Sequence, residues 1–348
     1  MKTDMKHLIY THSPITTRMC SMVVEHENIS SDNLVWIYSR FEKSTDDGNA
    51  YDLAGLNWTP PKKKLNFLKT RYELKCWQSN VLKVCGDDEF VCYVPQTHQM
   101  LFQLLTSHPQ CRGYYLIEEG LAAYRPLQQM KAARKSASSL LSLQWLELLW
   151  DHLNYGSYYQ RKRYLQDGEN VSFRGCFTWN RFGFPLFENR VELTCPFTQS
   201  KEYPDLEALV VLDAVVEAGI VSSYVVTQAL KDMFKELKQR GIRRIGVKFH
   251  PETARLSKEK PEWWGQAIQS LEGWFDVSNI SQSVVVEDLV TRDDMLVVVN
   301  VSSVGLYAGL MGQKALSIAG FIAKHAGSEY QLRVERLPKI WHDNIVVL

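Results

Sequence analysis

Three short polar clusters interrupt apolar stretches of the 348-residue chain, and each holds residue types that can do chemistry. The first is "YYLIEEGLAAY" at 114–124, where Glu118 and Glu119 follow an apolar run and Gly120 comes next. A carboxylate mounted on a strand end acts as a general base if a hydroxyl comes within hydrogen-bond reach. Gly120 lets the backbone turn sharply and leaves room for a ligand. A plainer reading is that the glutamates supply negative charge to the start of the next helix, worth about 0.3–1 kcal/mol. The second cluster is "VKFHPE", in which Lys248 and His250 are two apart and share a face of a strand. Two cationic donors on one face suit an anion, and a histidine beside a phosphate is biased towards its protonated form. Otherwise His250 is a structural strand-end residue and Pro251 only stops the strand. The third is "VSSVGLYAGLMGQ", where Ser302 and Ser303 lead into a small-residue helix. Hydroxyls and free amides at a helix N-terminus can cradle a phosphate, or the serines can simply cap the helix. Gly305 and Gly309 allow close helix–sheet packing in either case. Between the last two clusters, Glu287 ends "SVVVE" and is placed either to bond a ribose diol or to sit in solvent.

The elements that must position these residues alternate in type. "HLIYTH", "NLVWIYSR", "EFVCYVP" and "GYYLIEEG" read as strands. "SPITTRMCSMVVEHE" reads as a helix with Ser13 as N-cap and Pro14 in its first turn. Helices are also expected over "THQMLFQLLTSH" and about 127–153. The polar region 44–65 reads as a loop. Residues 155 to about 205 mix Gly, Pro, Asn and aromatics without period, and read as the crossing between two domains. Beyond it, "EALVVLDAVVEAG", "IRRIGVKFHPE" and "DMLVVVNV" are strand-like, "SSYVVTQALKDMFKELKQRG" is an amphipathic helix closed by Gly241, and "WWGQAIQSLEGWF" is helical. Apolar strands alternating with helices predict parallel sheets covered on both faces. Ligands in such sheets bind outside the carboxyl ends of the strands, where all three clusters fall. The expected organisation is α/β, with two Rossmann-like domains, 1–200 and 201–348, facing a central cleft.

Composition narrows the function classes. With 40 basic and 39 acidic side chains the net charge is +1, so no global field recruits nucleic acid. Hydrophobic residues make up 45% and charged residues 23%, an ordinary globular balance. The N-terminal "MKTDMKHLIYTHSP" does not read as a signal peptide, and no run of eighteen apolar residues predicts a spanning helix. The seven cysteines lack a CxxC spacing, which predicts reduced, small apolar groups in a cytoplasmic setting and no zinc site. "PPKKK" at 60–64 suits either a solvated loop or peripheral contact with an anionic membrane face or glycan.

In this order, "EEG" at 118–120, "HP" at 250–251 and "SS" at 302–303 resemble the bacterial sialyltransferases of the GT-B fold, which share a D/E-D/E-G motif, an H-P motif and a serine-rich motif. The resemblance spans most of the chain. It implies a GT-B glycosyltransferase that moves sialic acid from CMP-sialic acid to a glycan hydroxyl with inversion, needing no metal or other cofactor. It points to Glu118 as the base, with Glu119 as its competitor because both acidic positions are Glu. His250, Ser302 and Ser303 then meet the phosphate of the leaving CMP, Glu287 meets the ribose, and Lys248 and Pro251 help line the nucleotide site. Fixed cations and amides take the place of a divalent ion. Asp46–Asp47, Asp87–Asp88 and Asp293–Asp294 are turn-like pairs rather than a DxD triplet. The family's acceptors are galactose-terminated lipooligosaccharide or growing sialic acid polymers. Rival readings are a CMP-Kdo transferase, a nucleotide-sugar epimerase, and a non-catalytic nucleotide- or glycan-binding protein.

Overall fold

The computed structural model describes residues 5–38, 50–52, 84–96, 108–125, 172–200, 205–250 and 271–348, with single positions between these spans. The chain divides into two compact units, Met1–Pro196 and Phe197–Leu348. The polar loop 44–65 lies almost wholly outside the described residues. So do the helix expected at 127–153, Pro251, most of the helix expected from "THQMLFQLLTSH", and most of the first half of the one expected from "WWGQAIQSLEGWF".

Among the described residues, the first unit holds β1 (Lys6–Thr11), β2 (Leu34–Tyr38), β3 (Ala50–Asp52), β4 (Phe90–Val94), β5 (Cys111–Ile117), β6 (Phe173–Thr178) and β7 (Arg190–Glu192). They form one parallel sheet in the order β3-β2-β1-β4-β5-β6-β7. Its central β4, "FVCYV", is buried at every residue, as expected of an apolar strand covered on both faces. The helix Pro14–His26 follows β1 and starts as the sequence predicts. Ser13 Oγ accepts from the Thr16 N–H at 3.2 Å, and Thr16 Oγ1 accepts from the Ser13 N–H at 3.0 Å. This reciprocal cap satisfies two amides that the helix cannot pair itself.

Rings from four adjacent strands stack across one part of this sheet. His7 lies 5.8 Å from Tyr93, Tyr93 lies 5.2 Å from Tyr115 at an interplanar angle of 12°, and Tyr115 lies 5.2 Å from Phe177. Phe177 belongs to β6, inside the region expected to be an irregular crossing between domains. That region instead supplies β6 and β7, which extend the first sheet.

The second unit holds β8 (Ala208–Leu212), β9 (Arg244–Phe249), β10 (Asp276–Asn279), β11 (Leu296–Val299), β12 (Ala315–Ser317) and β13 (Val346–Val347). They form a parallel sheet in the order β10-β9-β8-β11-β12-β13. The amphipathic helix Ser223–Gln239 packs Val226, Leu230, Met233 and Leu237 inward. Helix Ser303–Leu310 lies close to β11: a Cβ on Gly305 would come within 2.6 Å of Val299 Cγ2. At Gly309 the close neighbour is the Asn344 backbone rather than the sheet, with Asn344 O 2.5 Å from the same hypothetical atom. None of the seven cysteines forms a disulfide, and Cys20, Cys85, Cys92 and Cys176 are buried. No helix among the described residues is long and apolar enough to cross a membrane.

Candidate active site

In each unit the chain fills one side of the sheet and then returns to the other, reversing the strand order between β1 and β4 in the first unit and between β8 and β11 in the second. Crevices at such reversals, beyond the strands' carboxyl ends, are where open α/β sheets hold ligands.

The two glutamates leave β5 in opposite directions, as successive residues of an extended chain must. Glu118 is 0% exposed. Its Oε1 accepts from the Tyr124 hydroxyl, and its Oε2 accepts from the Thr178 hydroxyl and from the Trp179 N–H at 3.2 Å. The Tyr124 hydroxyl in turn accepts from Asn180 Nδ2 at 2.6 Å. Burial pushes the Glu118 carboxyl up to about 7, and the hydrogen bonds it accepts pull it back only in part. Glu118 thus ties the end of β5 to the end of β6 from below. Its carboxylate, expected from the motif resemblance to be the base, is enclosed by these partners.

Glu119 is the glutamate with access, its side chain 21% exposed. Its Oε1 is ion-paired with Nε2 of His12, the residue that follows β1. Gly120 has φ of +57°, a left-handed conformation costly for any residue with a Cβ. It starts the short 3-10 turn Gly120–Tyr124, to which the Glu119 side chain gives no capping hydrogen bond.

Thr11 Oγ1 and His12 Nδ1 at the end of β1, and Gln96 Oε1 just beyond β4, are buried and have no hydrogen-bond partner. Each atom of this kind costs about 1–3 kcal/mol when left unsatisfied.

The second unit gathers the other predicted residues, with changes of role. His250 follows β9, half-buried, and its N–H donates to Leu212 O at 2.9 Å. Lys248 is buried, and its ammonium donates to Ser281 O at 2.7 Å and Val284 O at 2.9 Å. Burial lowers its pKa, and the nearby Glu287 charge opposes that shift. Lys248 is thus committed to two backbone carbonyls rather than to the face it was expected to share with His250. Glu287 lies in the first turn of the short helix Val286–Leu289 and not at a strand end. Ser302 is the N-cap of the helix Ser303–Leu310, its Oγ accepting from the Val304 N–H at 3.2 Å, and Ser303 is the first helical residue.

One acidic residue at this edge escaped the sequence reading. Asp213 follows β8 at the strand-order reversal, and its Oδ2 accepts from the Val301 N–H at 2.9 Å. Burial pushes its carboxyl up to about 7, against the pull of the hydrogen bonds it accepts. The signal was present in "ALVVLD", an apolar run ending in a carboxylate just as "YYLIE" does.

Neither a protein-family model nor a curated protein matches the sequence. Solved structures do match the fold. An α/β-galactoside α-2,3-sialyltransferase from the luminous marine bacterium Photobacterium phosphoreum aligns with a TM-score of 0.53 at 9% identity, over 99% of this chain and 99% of that one. The UDP-GlcNAc 2-epimerase of Methanocaldococcus jannaschii, in complex with UDP-GlcNAc and UDP, aligns at 0.51 and 12% identity, over 99% of this chain and 89% of that one. The UDP-GlcNAc 2-epimerase of Neisseria meningitidis bound to UDP-GlcNAc aligns at 0.50 and 10% identity, over 99% and 95%. At such identities the likeness is one of architecture, and the chain has the α/β fold of GT-B glycosyltransferases and epimerases.

Proposed function

We propose that the chain is an inverting sialyltransferase that moves sialic acid from CMP-sialic acid to a glycan hydroxyl, with Glu119 rather than Glu118 as general base. The observation that carries the reading is the partly exposed Glu119 carboxylate, held by His12 at the carboxyl edge of the sheet and next in the chain to Glu118, which is buried. In this scheme Glu119 takes the proton of the acceptor hydroxyl while that oxygen bonds to the anomeric carbon. The bond from that carbon to the phosphate oxygen breaks, and CMP leaves with the electron pair from the opposite face. His12 is a positioning residue, donating from Nε2 so that one carboxylate oxygen stays aimed. A fixed carboxylate loses less freedom on reaching the transition state.

The leaving group falls to the second unit. His250, with the hydroxyls and N-terminal amides of the Ser302–Ser303 turn, meets the phosphate charge as it develops. Glu287 accepts from the ribose hydroxyls. Lys248 acts at one remove, holding the Ser281–Val284 backbone that leads to Glu287. Pro251 keeps its proposed place beside His250 through the motif resemblance alone. The CMP donor is likewise supported by the motif set and not by the fold, which UDP-sugar epimerases share.

The test is a side-by-side assay of Glu119→Gln and Glu118→Gln with CMP-sialic acid and lactose, weighing the products. Glu119→Gln is expected to lose at least about 100-fold in transfer, the scale of a missing general base, while CMP binding persists. Glu118→Gln is expected to keep most of its transfer. The reverse ranking would return the role to Glu118. Donor consumption that yields free sugar with or without lactose would instead support an epimerase, and transfer only from CMP-Kdo would change the donor. His250→Ala is expected to weaken CMP binding and transfer together, and normal turnover in that variant would remove it from the phosphate site.

A further inference from the structure

We propose that Asp213 is a positioning residue for the donor phosphate, setting the Ser302–Ser303 turn through its bond to the Val301 N–H. The inference rests on the reading of that turn as a phosphate contact and adds the residue that holds it in place.

The reach of the strand ladder is the first argument. β11 lies between β8 and β12, and its last residue, Val299, is paired with Val211 on one side and Ser317 on the other. Asn300 and Val301 lie past that ladder and lead into the helix Ser303–Leu310, whose N-cap is Ser302. With the ladder alone, these two residues would keep a choice of backbone conformations, and the turn would move with them.

Side chains take over where the ladder stops. Asp213 follows β8 and reaches across the reversal of strand order, where its Oδ2 accepts from the Val301 N–H at 2.9 Å. The Ser317 hydroxyl at the end of β12 donates to Asn300 O at 2.5 Å. The Tyr330 hydroxyl, from the helix Ser328–Glu335, donates to Asn300 Oδ1 at 2.7 Å. Asn300, Ser317 and Tyr330 are all buried.

Two of these bonds fall on one peptide unit. Asn300 C=O and Val301 N–H belong to the same planar amide, and Ser317 and Asp213 grip its opposite ends. A plane held at both ends cannot rotate, and the next residue but one is Ser303, the first of the helix. None of the three side-chain bonds falls inside β11, so what they fix is the lead into the serine turn rather than the strand. Donors fixed before the ligand arrives need no reorganisation as charge develops on the phosphate. Asp213 is the member of the trio that stands half-buried at the reversal, where ligands of such sheets bind. Its carboxyl keeps an oxygen acceptor for the Val301 N–H whether or not it is protonated.

The experiment uses the full chain, with CMP in calorimetry and CMP-sialic acid and lactose in the transfer assay. Asp213→Ala is expected to weaken CMP binding about tenfold, the scale of one lost hydrogen bond. KM for CMP-sialic acid should rise in step while KM for lactose stays put, a split that general loss of structure would not give. Asp213→Asn keeps an oxygen acceptor without the charge and is expected to bind CMP at least as well as wild type. Equal losses in Asp213→Ala and Asp213→Asn would assign the effect to the charge and overturn a role through the bond. Unchanged CMP affinity in Asp213→Ala, beside a loss in the double variant Ser302→Ala with Ser303→Ala, overturns the inference and leaves the phosphate at the turn. Unchanged affinity in both removes the phosphate from the turn, and the inference falls with that reading. Hydrogen exchange of the wild type needs no variant. The Val301 amide is expected to be protected before CMP is added, and an amide that exchanges as freely as an unpaired one until CMP binds overturns the inference.

Discussion

Two glutamates one residue apart have been given opposite lives by their surroundings. Glu118 is surrounded by Tyr124, Thr178 and Trp179 and titrates near 7 because it has lost its water. Glu119 keeps solvent on one side and a histidine on the other. The separation predicts a clean division of phenotype. Glu118→Ala removes the acceptor of the Tyr124 hydroxyl and the Trp179 N–H, at about 1–3 kcal/mol for each buried group, while the Thr178 hydroxyl can still donate to Asn180 O at 2.9 Å. A thermal melt should therefore fall well below that of Glu119→Ala, while the activity ranking of the conservative glutamine variants runs the other way. Equal melting temperatures for the two alanine variants would show that the buried clamp is not stabilising the sheet end. Which glutamate faces outward could not be read from the sequence. Alternation says only that they face opposite ways. The choice is made by Tyr124, six residues on, together with Thr178, which at a separation of 60 residues the sequence gives no reason to place beside Glu118.

At the scale of elements, much of the fold was legible because local signals agreed with the global arrangement. The Ser13–Pro14 start, the apolar β1, β4, β5, β9 and β11, and the serine-capped helix Ser303–Leu310 all formed where propensity and punctuation put them. Strands β6 and β7 were missed for a physical reason. Gly175 has φ of +151°, β7 is three residues long, and neither strand alternates strictly in polarity, so the usual period was absent. The valines before Glu287 failed in the opposite sense. Their β-branched run suits a strand, but Lys248 captures the carbonyls of Ser281 and Val284, and the chain turns into a short helix instead. A prediction belongs to the loop after β6. An alanine Cβ at Gly183 would lie 2.9 Å from Glu118 Oε2 and closer still to the Thr178 hydroxyl. Gly183→Ala should therefore cost about 1–3 kcal/mol by overpacking the clamp and lower the melting temperature. An unchanged melt would mean that the loop can shift away without loss.

Among the described residues, each unit carries a carboxylate raised to about 7: the buried Glu118 in the first, from an ordinary value of 4.5, and the half-buried Asp213 in the second, from 3.8. A raised carboxyl favours the protonated folded state. Its contribution is therefore fully present below the ordinary value and is lost as pH rises through about 7. Stability should decline between about pH 4 and pH 7.5 and then level off on this account. Glu118→Gln and Asp213→Asn should each flatten part of that decline in denaturant titrations run across the range. A wild-type curve that rises steadily over the same interval would contradict both assignments. The ring stack of His7, Tyr93, Tyr115 and Phe177 offers a way to follow one half of the molecule by itself. Two phenols nearly parallel at 5.2 Å have coupled electronic transitions and should give a near-ultraviolet circular dichroism band that exists only while β4 and β5 are paired. That band is an optical tag native to the first unit, and Tyr115→Phe would erase it without touching the chemistry at Glu119.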